Sequence, residues 1–149
     1  MKTKNSVWGI MLFLVLPVLF LAGCKEDPII VDQETKITGK AHLEPGTPGD
    51  LSNAMVSIYV SQDDWNTYNP VLLADVTGTG AKINFVFSDV VPGNYYLDIW
   101  VDNDLSDDWS LGDFVGWYGS GNKNAPALSP FMVAENKTKN MGDIECVIF

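Results

Sequence analysis

Phe85-Val86-Phe87-Ser88-Asp89-Val90-Val91-Pro92-Gly93-Asn94-Tyr95-Tyr96-Leu97-Asp98-Ile99-Trp100-Val101 is the stretch that decides the fold class. Upstream of its turn, Ile83, Phe85 and Phe87 alternate with Asn84, Val86 and Ser88. Downstream, Tyr95, Leu97, Ile99 and Val101 fall on one face and Tyr96, Asp98 and Trp100 on the other. Successive side chains of a strand point to opposite faces, so this period of two predicts two half-buried strands. Val91-Pro92-Gly93-Asn94 between them has turn composition, with a fixed φ at Pro and free φ at Gly.

The same period runs outward from this centre. Ile37, Gly39, Ala41 and Leu43 alternate with Lys36, Thr38, Lys40 and His42, then Glu44-Pro45-Gly46-Thr47-Pro48-Gly49-Asp50 makes a loop. Met55 to Val60 and Val71 to Val76 read as strands, separated by the polar loop Ser61 to Asn69 and closed by the turn Thr77-Gly78-Thr79-Gly80. Phe131 to Ala134 and Ile144 to Ile148 give two more after a long insertion, with Glu135 to Asn140 as a polar, hairpin-like link. No stretch after residue 24 carries a capped 3.6-residue period. About seven short strands at this spacing predict an all-β fold, a single antiparallel β-sandwich over residues 36–149.

Composition narrows the function. The 149 residues carry 9 Lys, no Arg and 19 acids, for a net charge of −10. Such a chain does not suit nucleic acid, whose phosphates are gripped by Lys and Arg. One His and two Cys exclude a disulfide scaffold or a four-thiolate zinc site. Lys2 and Lys4 precede an apolar run from Val7 to Ala22, broken by Pro17 and short for a membrane span. Residues 1–23 are therefore expected to be a cleaved signal peptide, with residues 24–35 a polar tether. Cleavage removes two lysines and no acid, taking the charge from −10 to −12.

Leu21-Ala22-Gly23-Cys24 at the end of that run resembles the lipobox of bacterial lipoproteins. Small residues admit the membrane peptidase, and the Cys24 thiol is the group able to take a thioether-linked diacylglyceryl. The resemblance implies lipidation at Cys24, including a palmitate-type acyl chain, and a mature protein anchored to a membrane without spanning it. Lys25-Glu26-Asp27 resembles the surface-export signal of lipoproteins in Bacteroides-type Gram-negative bacteria, which implies an outer-membrane, cell-surface address.

A second resemblance covers Ile37 to Ile148. Ala54-Met55-Val56-Ser57-Ile58-Tyr59 is similar to the small-x-Val-x-aliphatic strand of transthyretin-like (prealbumin-like) domains, shared by carboxypeptidase regulatory-like and Cna-B-type domains. The opening stretch is similar to their Phe-x-Phe, turn, Gly-x-Tyr-x-Leu-x-aliphatic hairpin. This implies a prealbumin-like or Ig-like sandwich, and a fold does not by itself give a function.

Two features of the expected domain carry chemistry. Asp98 to Asp113 holds six acids and no cation. Within it, Asp102, Asp104, Ser106, Asp108, Ser110 and Asp113 resemble the oxygen set of a calcium loop, since a hard cation takes six to eight such ligands. Asp107 stands where the turn of such a loop favours Gly, and Asp113 is shorter than the Glu that usually closes it. A solvated acidic loop without metal is the alternative. The second feature is aromatic: Tyr96, Trp100, Trp109 and Trp117 beside carboxylates and Asn, as in sugar recognition. Against this, the rings fill core or lie under the Ser61–Asn69 and Gly119–Pro130 loops, because large aromatics mostly bury area. Cys146 is expected as a buried small hydrophobe and His42 as a surface residue.

No nucleophile–base pair or phosphate loop is visible, and a carboxylate pair for glycoside hydrolysis finds little room for a cleft. The expectation is a membrane-anchored surface lipoprotein that is not an enzyme: a structural or protein-interaction module, calcium-stabilised if the acidic loop is ordered by metal. The alternative is a carbohydrate-binding accessory module of a polysaccharide-uptake system.

Overall fold

The computed structural model describes residues 34–149. The signal segment 1–23, the lipidation site Cys24 and tether residues 24–33 lie outside the described residues. The elements are β1 (Lys36–Leu43), β2 (Met55–Tyr59), α1 (Gln62–Asn66), β3 (Leu72–Leu73), β4 (Asp75–Thr79), β5 (Lys82–Phe87), β6 (Gly93–Val101), β7 (Phe114–Trp117), β8 (Gly119–Asn122), β9 (Ala125–Leu128), β10 (Phe131–Val133) and β11 (Thr138–Ile148).

The main sheet runs β3-β2-β6-β7-β11-β1-β5-β4, with β10 added to β6, and β8 and β9 form a separate hairpin. It folds over one core as a sandwich-like structure. One layer is β4-β5-β1; the other is β3-β2-β6-β7 with β10; β11 links them. β11 pairs with β1 from Thr138 to Cys146, then with β7 at Val147 and Ile148. The core draws on both layers: Ile37, Ala41 and Leu43 from β1, Ile83, Phe85 and Phe87 from β5, Val56 and Ile58 from β2, Leu97 and Ile99 from β6, Met141, Ile144 and Cys146 from β11. Gly39 belongs to the inward row of β1 because the Phe85 ring lies against it. A Cβ there would sit 2.3 Å from the ring.

Several details differ from the pattern read in the sequence. The β1–β11 pair is parallel, while the other pairings are antiparallel. The strand expected over Val71 to Val76 is split into β3 and β4, and β4 continues through Gly78 to Thr79. The insertion before Phe131 holds β7, β8 and β9, and β11 starts at Thr138 inside the expected polar link. The Ser61–Asn69 loop contains α1, whose N-cap Ser61 accepts from the Asp64 amide at 3.0 Å, with Asp63 and Asp64 in the first turn where acids favour the helix dipole.

The stretch expected to be a hairpin is not one. β5 pairs with β1 and β4, whereas β6 pairs with β2, β7 and β10. The Ser88–Pro92 connection is an arch from one layer to the other. Asp89 turns it at φ 54, a left-handed conformation that Asp tolerates. The Val90 amide donates to the Thr35 carbonyl at 3.0 Å, and the Tyr95 hydroxyl donates back to the Val91 carbonyl at 2.6 Å. Such a back-bonded tyrosine fixes a sandwich corner. Phe85 and Leu97 still belong to one core cluster, because the facing layers turn their inward rows toward each other.

Candidate functional site

β6 carries the first site. Leu97, Asp98, Ile99, Trp100 and Val101 are all buried, so its second face is covered too. Asp98 is 2% exposed. Trp65 Nε1 donates to its Oδ2 at 2.9 Å, and the Tyr59 hydroxyl sits 3.2 and 3.3 Å from its two oxygens. Burial pushes the Asp98 carboxyl up to about 7, against the pull of the Trp65 and Tyr59 donors toward the charged form. The Tyr59 phenol is raised in turn, by burial first and by the Asp98 charge second.

The expected aromatic set does not form a platform. Trp100 is buried, its ring 5.8 Å from Tyr68 and its Nε1 donating to Asp113 Oδ2 at 3.1 Å. Trp109 packs edge-on between Trp65 (5.9 Å, 72°) and Phe149 (6.0 Å, 66°). Its Nε1 is buried without a hydrogen-bond partner among the described residues. Trp65, Tyr68, Trp109, Phe149 and Asp108 line a cleft of about 450 Å³. Tyr96 is half-buried opposite Tyr59. Trp117 stands apart, in another groove, with Nε1 donating to the Ser120 carbonyl at 2.7 Å. The Ser61–Asn69 segment therefore covers the β6 rings, the alternative weighed against sugar stacking. Its outward row is a second buried layer, because Trp65 and Tyr68 from α1 and the residue beyond it close over the strand.

The acidic loop gathers part of its expected oxygen set. Asp102, Asp104 and Asp113 each bring a carboxylate oxygen within 4.8 Å of the others. Asp113 is fully buried and accepts from Asn103 N at 2.8 Å and Ser110 N at 2.9 Å as well as from Trp100. Asp102 accepts from the Ser106 and Asp107 amides at 3.1 and 3.0 Å. Asp104 accepts from the Ser110 hydroxyl at 2.9 Å, and its carboxyl is held below the usual range, chiefly by the Ser106 and Ser110 side chains. The Ser106 hydroxyl is engaged by the Asp108 carbonyl at 3.0 Å. The Asp108 carboxylate accepts instead from the Tyr68 hydroxyl at 3.2 Å, away from the three gathered acids. Asp107, at the position where the turn of such a loop favours Gly, adopts a left-handed conformation at φ 59. Three hard oxygens on a tight loop suit a calcium ion by chemistry; water and carbonyls would have to complete its shell.

A third region was not read from the sequence. A groove of about 820 Å³ runs between β8 and β11, lined by Trp117 and Ser120 on one side and Asp143, Ile144 and Glu145 on the other, with Glu44 at its end. His42 Nδ1 lies 2.8 Å from Asp143 Oδ1, and its Nε2 lies 3.8 Å from Glu145 Oε2. His42 is thus partly covered and engaged by acids of the neighbouring strand. Glu44 and Glu145 are 101 residues apart in sequence and meet only through the β1–β11 pairing, which no local pattern encodes. Cys146 is fully buried as expected, its thiol pushed up to about 12 by burial and by the neighbouring Asp143 and Glu145 charges.

No family model matches the chain, and no curated protein or solved structure matches it.

Proposed function

We propose that this protein is an outer-membrane lipoprotein, held by acyl chains on Cys24 and exposed at the cell surface, whose sandwich is a prealbumin-like, non-catalytic protein-interaction module. The observation that carries the address is Leu21-Ala22-Gly23-Cys24 closing an apolar run that follows Lys2 and Lys4. Among the described residues no helix is long and apolar enough to cross a membrane. The non-catalytic reading rests on commitment of the reactive groups. Cys146 is sealed in the core, and the oxygens of Asp98 are taken by Tyr59 and Trp65.

The test is Cys24→Ser in the native host. The variant moves from the membrane pellet to the soluble fraction, and a variant that still pellets with membranes overturns the anchor.

The gathering of Asp102, Asp104 and Asp113 favours one addition, a structural calcium on that loop. A ligand that binds only the folded state raises the melting midpoint, by the equivalent of about 2.7 kcal/mol at a hundredfold excess over Kd. Superimposed melts in millimolar calcium and in chelator overturn it. Of the rings expected for the glycan alternative, Trp117 lies on the large groove, beside Tyr118.

A further inference from the structure

We propose that the groove between β8 and β11 accepts an extended segment of a partner protein as an added strand, one that alternates Lys or Arg with aliphatic residues. The inference rests on the interaction-module reading and names the partner's chemistry.

The backbone supplies the slot. Among the described residues β8 pairs with β9 alone, and its other edge carries no strand. All four β8 residues line the groove and no β9 residue does, which puts the open edge on the groove side. On the opposite wall β11 pairs with β7 at Val147 and Ile148, with Gly116 still against Cys146; from Asp143 to Cys146 its partner is β1, on its other edge. Two strand edges thus diverge and leave a gap lined by both. Edges of this kind bind extended peptides through main-chain hydrogen bonds, with alternate side chains giving specificity.

The side chains specify the occupant. Asp143 and Glu145 stand on the outer face of β11 two residues apart, 58% and 53% exposed, and the Glu44 backbone N–H donates to the Cys146 carbonyl at 2.8 Å, which holds Glu44 beside them. Strand side chains repeat every second residue, so an added strand places successive same-face residues opposite Asp143 and Glu145. Opposite charges there are favourable, and the Trp117 ring on the facing wall is suited to a cationic side chain. The intervening residues turn toward Ile144 and Met141, which line the groove from the core side and favour aliphatic groups. Lys123 is the lysine among the lining residues, and its Nζ donates to the Ile148 carbonyl at 3.0 Å at one end. From β1, His42 lies against Asp143 and Glu145, and Lys40, the register partner of Asp143, lines a smaller pocket with Lys82 on that residue's other side.

The experiment titrates the full chain in detergent with an eight-residue Lys-Val alternating peptide at physiological salt, followed by tryptophan fluorescence and amide hydrogen exchange. The peptide binds, and exchange slows at Ser120–Asn122 and Asp143–Glu145. The double variant D143N/E145Q weakens binding at least tenfold, and E44Q, which leaves the His42 contacts of Asp143 and Glu145 in place, weakens it less; melting curves of each variant show that the fold is retained. A peptide of the same sequence with alternate backbone N-methyl groups loses at least tenfold. Equal binding of the methylated peptide overturns strand addition, and equal binding by D143N/E145Q overturns the acidic recognition. No peptide binding, with Cys24-dependent sedimentation intact, overturns the groove and leaves the anchored module standing. If maltohexaose, as a neutral sugar probe, competes for the groove through Trp117, both the groove assignment and the protein-interaction reading fall.

Discussion

β5 and β6 are two strands of one core with opposite second faces. In β5 the inward residues Ile83, Phe85 and Phe87 are buried while Lys82 and Asn84 are exposed. In β6 every residue from Leu97 to Val101 is buried. The sequence pattern of the two is the same, an aliphatic or aromatic row alternating with a polar or mixed one. The difference lies in what comes after them in space. Among the described residues nothing covers the outer face at Asn84, whereas the Ser61–Asn69 segment and the acidic loop bring Trp65, Tyr68 and Asp113 onto the face at Asp98 and Trp100. A polar residue on an alternating strand is therefore outward by period, and wet only if no other segment closes over it.

The largest break in this comparison comes from the shared core. Phe85→Ala removes a fully buried ring and lowers stability by about 3–5 kcal/mol, read as a lower midpoint in urea unfolding. Retention of the wild-type midpoint would mean that the two layers do not share one core.

The covered face gives the next effect, through pH. The Asp98 carboxyl rises from 3.8 in the open chain to about 7 when folded. A raised carboxyl binds its proton more tightly in the folded state. Its contribution to stability is full below pH 3.8 and is lost as pH rises through 7. Relative to Asp98→Asn, the wild type loses up to about 4 kcal/mol across that window. Paired chemical melts at pH 4 and pH 8 measure it, and a constant difference between the two proteins rules the assignment out.

The smallest effects sharpen the contrast. Trp65→Phe keeps an aromatic ring of smaller size and deletes the donor to Asp98, costing about 1–2 kcal/mol. Asn84→Ser on the open face of β5 changes stability by less than about 0.5 kcal/mol. Equal costs at the two positions would erase the distinction between the faces.

Most of the sandwich was legible because β1, β2, β5 and β6 carry their period locally. The insertion was not. β8 is Gly-Ser-Gly-Asn, with no apolar row to count, and β7 is four residues directly after the acidic loop. α1 spans five residues, too short for a 3.6 period to register. The site fared similarly. Asp102, Asp104 and Asp113 were readable from spacing within one loop, whereas Asp98 with Trp65 and Tyr59 joins three elements. The Glu44–Asp143–Glu145 group depends on a parallel pairing between distant strands, with a register shift between Thr38 and Lys40. Parallel partners leave no turn between them to announce the pairing.

The same parallel pairing has a mechanical consequence. β1 begins the folded domain and β11 nearly ends it, side by side and pointing the same way over Lys36–Leu43 and Thr138–Cys146. Tension applied between residue 34 and residue 149 slides the two strands lengthwise, so their ladder of bonds resists as a block instead of opening one rung at a time. The domain would be toughest when pulled along that axis.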